Sequence, residues 1–96
     1  MRKKIGECGV DSGQIMIIDP CYINDEWVKG DWSDKGSTYG KCCDITTKKG
    51  QAGQLNYKGG HVGLGVVASS GYGDGVYPVY ATYNKEGRIM KLEIEF

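Results

Sequence analysis

Residues 76–96 run VYPVYATYNKEGRIMKLEIEF, and the way they alternate decides the fold. Val76 to Tyr83 is rich in valine and tyrosine, side chains that suit a pleated, half-buried surface. Asn84-Lys85-Glu86-Gly87 supplies turn chemistry, and Arg88 to Phe96 then alternates strictly. Met90, Leu92, Ile94 and Phe96 fall on an inward face, while Lys91, Glu93 and Glu95 fall on the other. A period of two is the signature of a strand with one face turned to a core. Two such runs joined by a four-residue turn predict an antiparallel hairpin.

Further strands follow on moving towards the amino terminus. His61 to Ser69, HVGLGVVAS, places Val62, Leu64, Val66 and Ala68 on one face and His61, Gly63, Gly65 and Val67 on the other. Gln54 to Tyr57 is a short strand candidate. Residues 38–47, TYGKCCDITT, predict a weaker strand with a β-branched tail, which sets Cys42 and Cys43 on opposite faces. Gln14 to Asp19, QIMIID, is apolar on both alternate sets, as in a central strand covered on two sides, and Asp19-Pro20 ends it. Apolar spacing of the helical kind is not sustained in any window. Asn24 to Lys29 is the best place for a single capped turn. The expected architecture is all-β: a small single-domain sandwich or barrel over residues 1–96, with six to seven short, mainly antiparallel strands and at most one short helix.

Composition agrees with this class. With 96 residues, 25% charged and 40% apolar, the chain has the size and balance of one globular domain. Its 16 glycines against 2 prolines favour a turn-rich β protein. A net charge of zero argues against bulk nucleic-acid binding through phosphate neutralisation. No run approaches the roughly 18 apolar residues of a membrane helix. The start, MRKKIGECGVDSG, is basic but lacks the apolar stretch of a signal peptide, which points to the cytoplasm and to reduced thiols. Cys8, Cys21, Cys42 and Cys43 show no Cys-X-X-Cys spacing, so free thiols are expected, with no metal and no cofactor. Open sheet edges on so short a chain make a homo-oligomer the expected assembly.

Chemistry concentrates in two places. In Gly71-Tyr72-Gly73-Asp74-Gly75, successive glycines can turn their amides into an anion-binding nest, or the Asp74 carboxylate can instead receive a ligand hydroxyl or a metal. The same residues also suit a tight strand-to-strand crossing in which Asp74 bonds backbone amides. The lysine of a phosphate-loop motif is missing. Tyr72, Tyr77, Tyr80 and Tyr83 follow closely, with Trp27 and Trp32 earlier, and offer flat faces for stacking or for ordinary strand packing. The second place is Asp11-Ser12-Gly13 followed by Asp19-Pro20-Cys21-Tyr22. Asp19 ends an apolar strand, where burial would raise its pKa towards acid–base work or where it ties down a loop. His61, the one histidine, is expected to be a partly exposed strand-end residue, and pairing it with Cys21 as an activated thiol has no motif behind it.

The ending SGYGDGVYPVYATYNKEGRIMKLEIEF resembles the carboxy-terminal signature of a bacterial and phage family of uncharacterised proteins: a Ser-Gly-aromatic-Gly-Asp-Gly loop, a Tyr-Pro strand, a glycine-bearing turn and a last strand ending in phenylalanine. DSGQIMIIDPCYI similarly resembles an element near the start of related short proteins. The resemblance implies no activity. It does imply that Asp19, Asp74 and the glycines around them share one design, with the two aspartate motifs meeting in space. The loop is then a site wall or a scaffold corner. Asp19, Tyr22, Gly71, Tyr72, Gly73, Asp74, Gly75 and Tyr77 are the candidate ligand residues. A non-enzymatic module binding a small polar or nucleotide-like ligand ranks first. An interaction protein that blocks a host or defence protein ranks second, and a carboxylate- or metal-dependent hydrolase third.

Overall fold

The structure is a computed structural model, and it describes residues 1–22, 36–57 and 59–96. Trp27, Trp32 and the capped turn expected at Asn24–Lys29 lie outside the described residues. The chain divides into two compact units, one of Met1–Gly13 with Ser70–Phe96 and one of Gln14–Ser69. Among the described residues each holds one three-stranded antiparallel sheet, with one short α-helix in the second, so the class is all-β.

The first unit contains β1 (Arg2–Val10), β5 (Gly75–Tyr83) and β6 (Ile89–Ile94), in the order β1-β5-β6. The expected hairpin is present: β5 and β6 pair antiparallel, with Ala81 opposite Leu92 and Thr82 opposite Lys91. Asn84 closes the turn, its Oδ1 accepting from the amides of Glu86 at 2.9 Å and Arg88 at 3.0 Å. The inward face needs one correction. A register irregularity after Thr82 sets Ile89 opposite Tyr83, so Ile89 takes the place beside Leu92 that strict alternation assigns to Met90. Nor is that face sealed, because Leu92 is 61% exposed. Strand β1, RKKIGECGV, has no alternation to mark it; pairing with β5 from Arg2–Thr82 to Val10–Gly75 makes it a strand.

The second unit contains β2 (Gln14–Ile18), β3 (Ala52–Asn56) and β4 (Val62–Ser69), with β4 in the middle. Among the described residues β2 pairs with β4 alone, and Ile17 is 62% exposed, so β2 is not the doubly covered central strand its apolar run suggests. The expected strand at 38–47 is instead a helix, α1 (Thr38–Thr46). Ser37 stands in extended conformation and its Oγ accepts from the Gly40 amide at 2.9 Å, satisfying one of the free donors of the first turn. Consecutive helix positions are about 100° apart, so Cys42 is buried and Cys43 half-buried rather than lying on opposite faces of a strand.

The core of this unit is Cys42, Leu55, Leu64 and Val67, with Ile18, Tyr22, Ile45 and Tyr57 packed against it. Val67 is buried together with Leu64 although alternation separates them. The reason is a bulge: Leu55 faces Gly65 but Asn56 faces Val62, and Gly63 takes φ 118° there. A positive φ of this kind favours glycine. Helix α1 reaches the sheet because Gly53 lacks a side chain; a Cβ there would stand 2.9 Å from Ile45 Cγ2.

Candidate functional site

Asp19 and Tyr22 belong to the second unit, whereas Gly71, Tyr72, Gly73, Asp74, Gly75 and Tyr77 belong to the first.

In the first unit the glycine loop is wired into a corner. Gly71 has φ 77° and Gly73 φ 90°, with open space where a Cβ would stand, so the backbone shape is what calls for glycine. The Tyr72 amide donates to the Ser70 carbonyl at 2.8 Å, a three-residue turn around Gly71. Ser70 is fully buried, and its Oγ donates to the Gly73 carbonyl at 2.6 Å. The Tyr77 hydroxyl donates to the same carbonyl at 2.7 Å. Asp74 Oδ1 accepts from the Gly13 amide at 2.9 Å, and the Ser70 amide donates to the Gly13 carbonyl at 2.9 Å. Asp74 therefore fastens the end of the segment that carries β1 to the loop that begins β5. Asp74→Ala is expected to cost about 1 kcal/mol in urea unfolding, because the Gly13 amide loses its partner. Asp74→Asn keeps an acceptor oxygen and should lose about half of that or less, given how exposed the bond is.

The aromatic residues nearby are divided in use. Tyr77 packs edge-on against Phe96 with ring centroids 5.2 Å apart, and the Arg2 guanidinium lies 3.7 Å over the Tyr80 ring. Tyr72 is 84% exposed.

In the second unit Asp19 and Tyr22 stand at the end of β2, where a 3-10 turn, Pro20–Tyr22, follows the strand. Asp19 is exposed, not buried as its strand-end position suggests, and its Oδ1 accepts from the Cys21 amide at 3.0 Å. The turn aims Tyr22 at Tyr57: their rings meet edge-on at 5.5 Å, and the two hydroxyls share a hydrogen bond at 3.3 Å. Tyr57 in turn stacks on His61 at 4.7 Å, and its amide donates to the His61 carbonyl at 2.9 Å. His61 is exposed at the start of β4. The result is a ladder of three rings beside a carboxylate.

Two of those rings, Tyr22 and Tyr57, line a groove of about 460 Å³ together with Asp19, Gln54, Gly63, Gly65 and the apolar side chains of β2 and β4. Gln54 is held in place by Nε2 donating to the Leu55 and Gly65 carbonyls, each at 2.9 Å. Sequence reasoning named Asp19 and Tyr22 but missed Gln54, Tyr57 and the two glycines. The available signal was the pair Gly63 and Gly65 inside a strand, a pattern that often marks close approach of another group.

The bond between the two phenols, with the repulsion an ionised Tyr57 would exert, pushes Tyr22 up to about 12; partial desolvation and the nearby Cys21 and Asp19 charges add to it. Folding thus favours the neutral phenol. That contribution is in place below the ordinary tyrosine pKa of about 10 and is lost as pH climbs towards 12. An ultraviolet titration of the 7 tyrosines should show a late-ionising group that Tyr57→Phe returns towards about 10. Partial desolvation and the neighbouring Asp19 carboxylate also raise the Cys21 thiol, the opposite of what an activated nucleophile needs.

The chain matches, over residues 7–94, the family described as Protein of unknown function (DUF4241). It belongs to that family. No curated protein and no solved structure matches it significantly. The match takes in both the Asp19 turn and the glycine loop. Among the described residues no helix is long and apolar enough to cross a membrane.

Proposed function

We propose that this chain is a small non-enzymatic binding protein that captures a small polar or nucleotide-like ligand in the groove of its second unit. The observation that supports this is the meeting of the Asp19 carboxylate, the Tyr22 and Tyr57 hydroxyls and the Gly63–Gly65 backbone around a space of about 460 Å³. Small-molecule sites commonly occupy roughly 300–1,000 Å³ and combine aromatic walls with a few polar groups. A carboxylate with two phenols suits the hydroxyls and amino groups of a sugar or a base. The glycine loop then serves as scaffold, with Asp74 bonding the backbone rather than a ligand.

Native mass spectrometry of freshly purified protein, with a thermal-shift panel of nucleosides, mononucleotides and sugar phosphates, tests the reading. A bound small molecule or a stabilising ligand is expected, and Asp19→Asn and Tyr22→Phe should each weaken it at least tenfold while Asp74→Asn does not. If neither measurement finds a ligand, the reading falls. The second reading, an interaction protein that blocks a partner, is favoured by Tyr72, which stands 84% exposed on the glycine loop.

A further inference from the structure

The first unit leaves an unusual edge. Among the described residues β6 pairs with β5 alone, so its other side carries unpaired backbone groups. The Glu95 amide donates to the Pro78 carbonyl across the β5 pair. In an antiparallel ladder such bonding alternates along the strand, so Lys91 and Glu93 also direct their amides to β5, and Leu92 and Ile94 direct theirs to the open edge. Unpaired edges are templates for another strand, and proteins commonly blunt them with charge. The opposite edge, β1, carries Arg2, Lys3 and Lys4 in succession. The charges on β6, Lys91 and Glu93, are of opposite sign and so do not repel a second copy, and Ile89, Met90 and Leu92 are 55%, 63% and 61% exposed.

We propose that β6 pairs antiparallel with β6 of a second copy of this chain, with the two-fold axis at Leu92, joining two three-stranded sheets into one of six strands. Charge selects the partner and the register. Centring the pair on Leu92 sets Leu92 against its own copy on one face. On the other it sets Lys91 of each chain against Glu93 of its partner, two opposite-charge pairs at directly facing positions. Centring it on Glu93 instead would bring two glutamates face to face, and a shift by one residue would turn apolar side chains to the charged side. The chain's net charge of zero adds no general repulsion between copies.

The test uses the intact chain in sedimentation velocity across low to high micromolar concentrations, with circular dichroism to confirm that each variant is folded. Wild type is expected at twice the chain mass. Lys91→Glu alone and Glu93→Lys alone each place like charges opposite one another twice, and each should dissociate at least tenfold more readily. Mixing these two variants in equal amounts restores both opposite-charge pairs, so a heterodimer should reappear. Wild type that stays monomeric overturns the proposal. So do single variants that dimerise as well as wild type, and so does a mixture that remains monomeric.

Discussion

Leu55→Ala is expected to lower stability by about 2–5 kcal/mol, the range for emptying a well-packed core position. Leu55 is 2% exposed and stands in the centre of the second unit's cluster, among Cys42, Leu64 and Val67. That cluster is small, so few neighbours are free to collapse into the space left behind. A whole domain is stable by only about 5–15 kcal/mol, which makes this one truncation a large fraction of the total. Val62→Ala in β4 is the matched comparison. Alternation in the sequence puts Val62 on the same face as Leu64, yet Val62 is 69% exposed and Leu64 8% exposed. Its truncation should therefore change stability by about 0.5 kcal/mol or less. Urea unfolding of the two variants checks both values. Equal losses would mean that Val62 is packed as closely as Leu55, contrary to its exposed place on β4.

The contrast between Val62 and Leu64 also shows what a sequence can disclose. The β5–β6 hairpin is legible because its signal is local: alternating side chains on both sides of a turn that Asn84 closes with its own carboxamide. Bulges are not local. They arise where one strand must fit its partner, and they moved Ile89 into the place expected for Met90 and Val67 into the core beside Leu64. Helix α1 was hidden for another reason. Tyr39, Gly40, Ile45 and Thr46 all weaken a helical reading, and of its apolar side chains Cys42 and Ile45 pack into the core. Ser37 as a cap, and burial against β3 and β4, outweigh those preferences. For the groove, Asp19 and Tyr22 stood out because they sit at a strand end beside proline. Tyr57 did not, because its role depends on the β3–β4 turn bringing it to Tyr22, 35 positions away.

Gly65→Ala is expected to harm both the fold of the second unit and its groove. Gly65 lies at the middle of the three-stranded sheet, opposite Ile18 of β2 on one side and Leu55 of β3 on the other. A Cβ at this position would stand 2.6 Å from the Ile17 carbonyl oxygen and 3.4 Å from Ile18 Cβ. The nearer atom is backbone, which cannot swing away as a side-chain tip would, so β2 must shift as a strand. Overpacking of this kind costs about 1–3 kcal/mol, and more where the backbone has to move. The shift has a functional side as well. β2 carries Asp19 just beyond its end, and the Gly65 carbonyl accepts the bond that fixes Gln54. Displacing β2 moves Asp19 and the Tyr22 turn that follows it relative to Tyr57 and Gln54, while leaving every groove side chain chemically intact. Gly65→Ala should therefore lower the unfolding midpoint and weaken capture of any ligand found for the groove. Gly9→Ala is the control, since Gly9 lies in β1 with open space where its Cβ would stand. It should change stability by only a few tenths of a kcal/mol. If Gly65→Ala unfolds at the wild-type midpoint, the close approach of β2 to β4 is not what requires glycine there.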